Sequence, residues 1–270
     1  MAKTILVTGA SAGIGKATAI LLAQNGYHVY GAARRTEKMQ DLENYGIKPI
    51  ALDVTKDESI TACVEQIFKE AGSIDILINN AGFGSYGAIE DVTIQGAKYQ
   101  LDVNVFGAMR LTQLVLPKMR QNKYGKIVNI SSVGGKIAFP FGGWYHASKF
   151  AIEALSDAMR LEVKQFGIDV IVIEPGGTKS EWGDIAVESL MRVSGKTAYG
   201  GLVTAFQKSF TRMAANVPGP IVIAKLIKKG IEANKPKTRY VGGYMAKPML
   251  LLRKILSDKM LGSVIMSQVK

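Results

Sequence analysis

The chain has 270 residues, a formal net charge of +12 and 47% hydrophobic side chains, enough for one large α/β unit or two small ones around a substantial core. Cys63 is the only cysteine, which excludes an intramolecular disulfide and suits a reducing, cytoplasmic setting. No apolar run reaches the length that spans a bilayer, and an apparent strand begins by Thr4, leaving no room for a cleaved secretory signal.

Short apolar runs predict strands at 3–8, 27–33, 47–51, 74–79, 126–131, 168–174 and 237–241. The intervals between most of them read as amphipathic helices, with Ile20, Leu21 and Leu22 in the first and Leu111, Leu114 and Val115 in a later one. Buried strands alternating with helices predict an α/β, doubly wound architecture. It would be a seven-stranded parallel sheet with helices on both faces, folded as a single domain over 1–270. The interval after the sixth strand is too long for one crossover helix. Its residues 177–216 mix Gly, Ser and Lys with Trp182, Leu190, Met191, Tyr199, Phe206 and Phe210, and predict one or two inserted helices forming a lid. A crossover helix follows Pro218 and Pro220 to about residue 233. Residues 244–270 form a basic tail in which 249–256, after Pro248, reads as an amphipathic helix. Residues 225–270 hold eleven Lys or Arg against two acids, Glu232 and Asp258. The tail could pack on the body, meet a partner subunit or lie on an anionic membrane, and packing is favoured. The basic residues lack the interleaved aromatics that stack bases, so no nucleic-acid partner is expected.

The first strand runs directly into Thr8-Gly9-Ala10-Ser11-Ala12-Gly13-Ile14-Gly15 and then a helix. A strand, a glycine-rich turn and a helix N-terminus make an anion site able to hold a dinucleotide pyrophosphate. The second strand ends in Ala32-Ala33-Arg34-Arg35 where an acid would favour NAD. A guanidinium there can pair with a 2′-phosphate, so NADP (NADPH) is the expected cofactor, with Arg34 ahead of Arg35. Asp53-Val54, after the third strand, can meet the adenine edge.

Tyr145 and Lys149 stand four apart in Tyr145-His146-Ala147-Ser148-Lys149, which on a helix puts them on one face about 6 Å apart along the axis. A neighbouring ammonium favours the phenolate and makes the phenol a better proton donor or acceptor near neutrality. Asn104 lies inside a predicted helix, where Asn is unfavourable without a specific partner. No metal site is expected.

The ordered set Thr8-Gly9…Gly13-x-Gly15, Asp53, Asn79-Asn80-Ala81-Gly82, Asn104, Ser132, Tyr145-x-x-x-Lys149 and Pro175-Gly176 resembles the short-chain dehydrogenase/reductase family over about residues 3–180. The resemblance implies a Rossmann fold and reversible hydride exchange with a nicotinamide. Tyr145 would be the general acid in reduction and the base in oxidation. Lys149 would hold the nicotinamide ribose and bias the phenol, and Ser132 would hydrogen-bond the substrate carbonyl. Asn104 would hold a water beside the lysine. Asn80, Ala81 and Gly82 would line the cofactor with backbone, and Pro175, Gly176, Thr178 and Ser180 would meet the nicotinamide end. The thirteen-residue offset to Tyr145 and the following Val133-Gly134-Gly135 select Ser132 over Ser131. His146 reads as a surface or supporting residue, and His28 as structural. Two departures stand out: Ala12 occupies a place often basic in NADP-using members, and Thr178 stands where the family tends to have an apolar residue, while a hydroxyl survives at Ser180.

Phe139, Phe141 and Trp144 crowd the approach to Tyr145, and with the aromatic lid they suit an apolar ketone or secondary alcohol of steroid- or retinoid-like bulk. The family is often oligomeric, and Phe150-Ala151-Ile152 with Leu155 and Met159 permits a homodimer or homotetramer. The alternative is a catalytically silent NADP-binding regulator or scaffold. A nucleotide-sugar epimerase would need a different glycine spacing and a larger C-terminal part.

Overall fold

A computed structural model describes residues 2–214 and 217–269. Seven strands, β1 (Thr4–Thr8), β2 (His28–Ala33), β3 (Lys48–Ala51), β4 (Ile76–Asn79), β5 (Gly125–Ile130), β6 (Ile168–Pro175) and β7 (Arg239–Gly242), form one sheet in the order β3-β2-β1-β4-β5-β6-β7. Every neighbouring pair is parallel. The predicted strands are all present, with ends moved by one or two residues.

Side chains of a strand alternate between faces, and the core divides accordingly. Leu6, Leu77 and Ile127 join α2 (Asp57–Ala71), α4 (Gly107–Gln121) and α5 (Gly143–Val163) through Ile67, Leu111, Val115 and Met159. Ile5, Val7, Ile78 and Val128 pack on the other face against α1 (Gly13–Ala23) and α8 (Ile221–Glu232) through Leu22, Ile223 and Ile227. Apolar runs without polar alternation are therefore what a sheet covered on both faces requires.

Strand order reverses between β1 and β4: β2 and β3 extend one way, and β4 to β7 the other. The carboxyl ends of β1 and β4 thus flank a crevice, the usual ligand position in an open α/β sheet. A buried polar chain fixes the layers behind it. Asn79 donates to Asn129 at 2.9 Å and to Thr112 at 3.1 Å, and Asn129 donates to Ser156 at 2.8 Å. Two strands and two helices are joined by these bonds.

The long interval after β6 contains α6 (Glu181–Ser194) and α7 (Gly200–Ala214). Residues 215–216, at the end of the predicted insertion, lie outside the described residues. The tail forms two helices where one is expected, α9 (Ala246–Ile255) and α10 (Asp258–Ser267), with Ser257 capping the second by accepting from the Met260 N–H. Among the described residues no helix is long and apolar enough to cross a membrane.

Asn129 is fully buried, so Asn129→Ala leaves the Asn79 amide and the Ser156 hydroxyl short of a partner. A loss of about 2–4 kcal/mol in urea unfolding is expected.

Candidate functional site

The glycine turn is built by the end of β4 as much as by its own sequence. The Thr8 hydroxyl accepts the N–H groups of Asn80 at 3.0 Å and Ala81 at 2.9 Å, and the Asn80 amide donates to the Thr8 carbonyl at 2.9 Å. Gly9 and Gly13 have φ of +68° and +54°, which a side chain would strain. A Cβ at Gly15 would stand 2.3 Å from the Gly9 carbonyl oxygen, so α1 starts close against the turn. No side chain caps α1, which leaves the first-turn N–H groups of Gly13, Ile14 and Gly15 directed at the crevice. An open cleft of about 670 Å³ adjoins the turn, with Ser11, Gly13 and Ser180 on its walls, Lys16 paired with Asp41, Lys38 paired with Glu181, and Glu37 and Lys179 beside them. The uncapped backbone donors of the glycine turn fit a pyrophosphate.

The two arginines after β2 diverge. Arg34 donates to the Tyr99 hydroxyl at 2.8 Å. Arg35 reaches the Ser11 hydroxyl at 3.3 Å and the Glu181 carboxylate at 2.9 Å, and Lys38 meets the same carboxylate at 3.1 Å. Glu181 opens α6, so this ion pair ties the insertion to the nucleotide end. Burial pushes the Asp53 carboxyl up, but the Thr55 N–H and hydroxyl, with the charge of Arg34, hold it below its usual range. Val54 is buried, and a Cβ at Gly107 would lie 2.4 Å from its carbonyl oxygen.

Tyr145 lies in the first turn of α5 and is 7% exposed. Burial pushes its phenol up to about 12, and the Ser132 hydroxyl beside it draws the value back. Lys149, on the next turn, is equally buried and donates to the Ile130 carbonyl at 2.8 Å, with its ammonium 5.8 Å from the Tyr145 ring centre. Burial pushes this amine down to about 8, against the opposing charge of Glu153. Ser132 follows β5 in extended conformation, accepting the Gly134 N–H at 3.0 Å and donating to the Pro175 carbonyl at 3.4 Å. Ser131 points away from it, buried beside Gly135 and Glu153 with its hydroxyl unpartnered.

Asn104 sits in a π-helical turn, Asp102–Phe106, that widens the helix between α3 (Ile94–Leu101) and α4. Such turns often mark functional sites. Its amide donates to the Phe83 carbonyl and the Ser148 hydroxyl, both at 3.0 Å, and accepts the Phe83 N–H. Its described partners are therefore the irregular segment that leaves β4 and the helix carrying Tyr145. Gly82 fits between them: a Cβ there would lie 3.1 Å from the Asn104 oxygen and 3.7 Å from the Lys149 nitrogen. Beyond β6, the Gly176 N–H donates to Gly242, the Thr178 hydroxyl donates to the Gly176 carbonyl, and Ser180 precedes α6 with its Cβ near Gly13.

An aromatic wall covers the phenol. Trp182 lies 5.0 Å from the Tyr145 ring and Tyr86 6.0 Å, with Phe141, Phe206 and Tyr199 behind them. Ser189 of α6 accepts the Tyr86 N–H and donates to its carbonyl, which fastens the insertion over the site. Of the three aromatics expected near Tyr145, Phe141 belongs to this cluster, whereas Phe139 turns to His146 and the tail, and Trp144 takes no part. His146 is not at the surface: it is buried, with Nδ1 3.0 Å from the Gly134 carbonyl, and burial pushes it down to about 4. Tyr86 escaped sequence reasoning because nothing around it signals burial. The same holds for Glu153 and Glu174, carboxylates on buried faces that share Arg239.

The profile of the short chain dehydrogenase family matches residues 3–189. The 3-ketodihydrosphingosine reductase of Bacteroides thetaiotaomicron is 46% identical over 173 residues, a match covering 64% of this chain and 62% of that protein, so less than two thirds of its length. The NADPH-dependent 3-dehydrocapnine reductase of Ornithobacterium rhinotracheale is 33% identical over 279 residues, covering 98% of this chain and 96% of that protein. The crystal structure of a short-chain dehydrogenase from Streptomyces avermitilis is similar at a TM-score of 0.81 and 33% identity, covering 99% of this chain and 94% of that one. Together with the doubly wound sheet and its glycine turn, these matches make the chain a member of the short-chain dehydrogenase/reductase family, an oxidoreductase that uses a nicotinamide cofactor.

Proposed function

We propose that the protein is an NADPH-dependent reductase of a bulky apolar ketone, reversible to the secondary alcohol, with a 3-keto lipid as its substrate class. The observation that carries this reading is the meeting of Tyr145, Ser132 and Lys149 under an aromatic wall, beside an uncapped helix N-terminus. The names of two relatives, reductases of 3-ketodihydrosphingosine and 3-dehydrocapnine, favour a 3-keto lipid over a steroid or retinoid.

In this reading Gly9, Ser11, Gly13, Ile14 and Gly15 hold the pyrophosphate, and Arg34 and Arg35 hold the 2′-phosphate. Asp53 and Val54 border the adenine. Asn80, Ala81 and Gly82 line the middle of the cofactor, and Pro175, Gly176, Thr178 and Ser180 its nicotinamide end. Bound NADPH supplies the hydride. Ser132 donates a hydrogen bond to the ketone oxygen and stabilises the charge that develops there. Tyr145, neutral at pH 7 as an ordinary phenol is and held further in that form by burial, transfers its phenolic proton to that oxygen. Lys149 steadies the resulting phenolate, and Asn104 holds the Phe83 segment against α5. The chain acts as one unit, with α6 and α7 as a lid that must part for a substrate to reach the phenol beneath Trp182. Exposed Phe150, Leu155 and Leu161 on α5 suit a homo-oligomer, while Ile152 and Met159 face the core instead. A cytoplasmic setting suits the lone buried thiol of Cys63.

Tyr145→Phe should lower kcat for ketone reduction by about 10²–10⁴ while NADPH affinity, read by fluorescence titration, stays within about twofold. Reduction needs the protonated phenol. Its rate should hold through neutral pH and fall as pH climbs toward the phenol's pKa, whereas alcohol oxidation, which needs the phenolate, should rise over the same range; stopped-flow turnover in both directions reads the crossing. Arg34→Ala/Arg35→Ala should raise KM for NADPH roughly 10–100-fold and leave KM for NADH nearly unchanged. Glu181→Gln frees Arg35 and Lys38, and should tighten NADPH by a few-fold in the same assay.

A further inference from the structure

The tail packs on the body, as its apolar pattern suggests, yet only through one side. Ala246, Leu261 and Ile265 are buried with Val133 and Ile137 of the segment that follows Ser132. Met249, Leu250, Leu252 and Leu256 pack partly against the same cluster, and a further apolar set looks outward. Pro248, Leu251 and Ile255 recur at helical spacing on α9, and Met260 and Val264 do so on α10; all five are exposed, Leu251 by 59% and Ile255 by 66%. Lys247, Lys254 and Lys259 stand among them, exposed and without an ion pair among the described residues. Arg253 pairs with Asp258, the only acid of the two helices.

We propose that α9 and α10 form a docking surface for an anionic lipid bilayer, lying in the headgroup plane with Leu251, Ile255, Met260 and Val264 inserted and the lysines on lipid phosphates. Each helix has ten residues and spans only about 15 Å, so it can lie on a bilayer but not cross one. Charge decides between the occupants. A second copy packed here about a two-fold axis would bring two basic faces together with Asp258, already paired with Arg253, as the only acid on each, which like-charge repulsion opposes. A bilayer rich in anionic headgroups supplies the opposite sign over the whole surface. The excess of Lys and Arg over residues 225–270 extends the attraction beyond the two helices.

Position links this surface to the site. Ser209 of α7 donates to the Gln268 carbonyl just past α10 at 2.6 Å, and Phe206, one turn earlier on α7, packs against Tyr86 and Phe141 over the phenol. A docked tail therefore brings the covering helices to the lipid surface, where an apolar substrate would be met. The docking itself does not rest on the identity of that substrate.

Vesicle flotation of the full chain is the test, with phosphatidylcholine alone or with a one-third share of phosphatidylglycerol, in low and half-molar salt. The protein should float with the anionic vesicles in low salt and largely stay behind with neutral ones or in high salt. Leu251→Glu/Ile255→Glu and Lys247→Ala/Lys254→Ala/Lys259→Ala should each lower the bound fraction at least roughly tenfold at an unchanged melting temperature. If the glutamate variant fails to fold, the alanine variant at three exposed lysines decides. Equal flotation with both vesicle types, no flotation at all, or binding unaffected by the lysine variant overturns the proposal. So does a glutamate variant that dissociates an oligomer in sedimentation velocity, because a second copy would then cover the face.

Discussion

One buried ammonium organises the proton end of this molecule. Lys149 extends from α5 to the Ile130 carbonyl at the end of β5, and this bond fixes the rotation of the helix about the strand. Tyr145, one turn earlier, is thereby turned to the side on which Ser132 leaves the same strand. Burying an ammonium is costly, and the cost shows in an amine pushed down to about 8. Because the folded state disfavours the charged form, stability rises as pH climbs from about 8 toward the ordinary lysine value. The charge does not stand alone. Glu153 lies one turn further along α5, itself held by Lys136 at 2.8 Å and Arg239 at 2.9 Å, and Glu174 on β6 joins through the same arginine. Burial and the neighbouring Glu153 push the Glu174 carboxyl up to about 7. A ladder of alternating charge thus runs from beneath the site to the surface between α5, β6 and β7.

The nucleotide end rests on a different kind of constraint, one of close approach. Thr8 and Asn80 bind the ends of β1 and β4 to each other, and the glycines between them leave no side chain to fill the space. The backbone donors there stand beside cations that are already paired with carboxylates. Glu181 neutralises Arg35 and Lys38 across the mouth of the cleft, so an incoming phosphate competes with a carboxylate that belongs to the insertion. Ser189 and Trp182 on the same helix hold the cover over the phenol, so the ion pair at the cleft and the cover belong to one element.

The sheet was legible in the sequence because a doubly covered parallel strand is an unbroken apolar run, and seven such runs lie between helical stretches. The turn was legible because Gly9, Gly13 and Gly15 each answer a local steric demand. Ser132 and Tyr145 are singled out in the sequence only as members of an ordered set, since a serine or a Tyr-x-x-x-Lys alone signals nothing, and the structure places them at the end of β5 and the start of α5. Contacts made by residues distant in sequence were not legible. Nothing local tells that Arg34 turns to Tyr99 while Arg35 meets Glu181, or that Asn104 grips the Phe83 backbone. Trp144 and Phe139 look like lining because they neighbour Tyr145 in the chain, but Trp144 sits on another side of α5 and Phe139, in the loop before it, packs on His146 and the tail. The second tail helix was missed because its start is set by a serine cap rather than by a long apolar period.

The most direct measurement is a crystal structure with NADP and the alcohol product of a ketone that the enzyme reduces. The Tyr145 and Ser132 oxygens should both lie about 3 Å from the product hydroxyl, with its carbon facing the nicotinamide. A product oxygen seated out of reach of both, with the phenol still sealed under Trp182, would contradict the account.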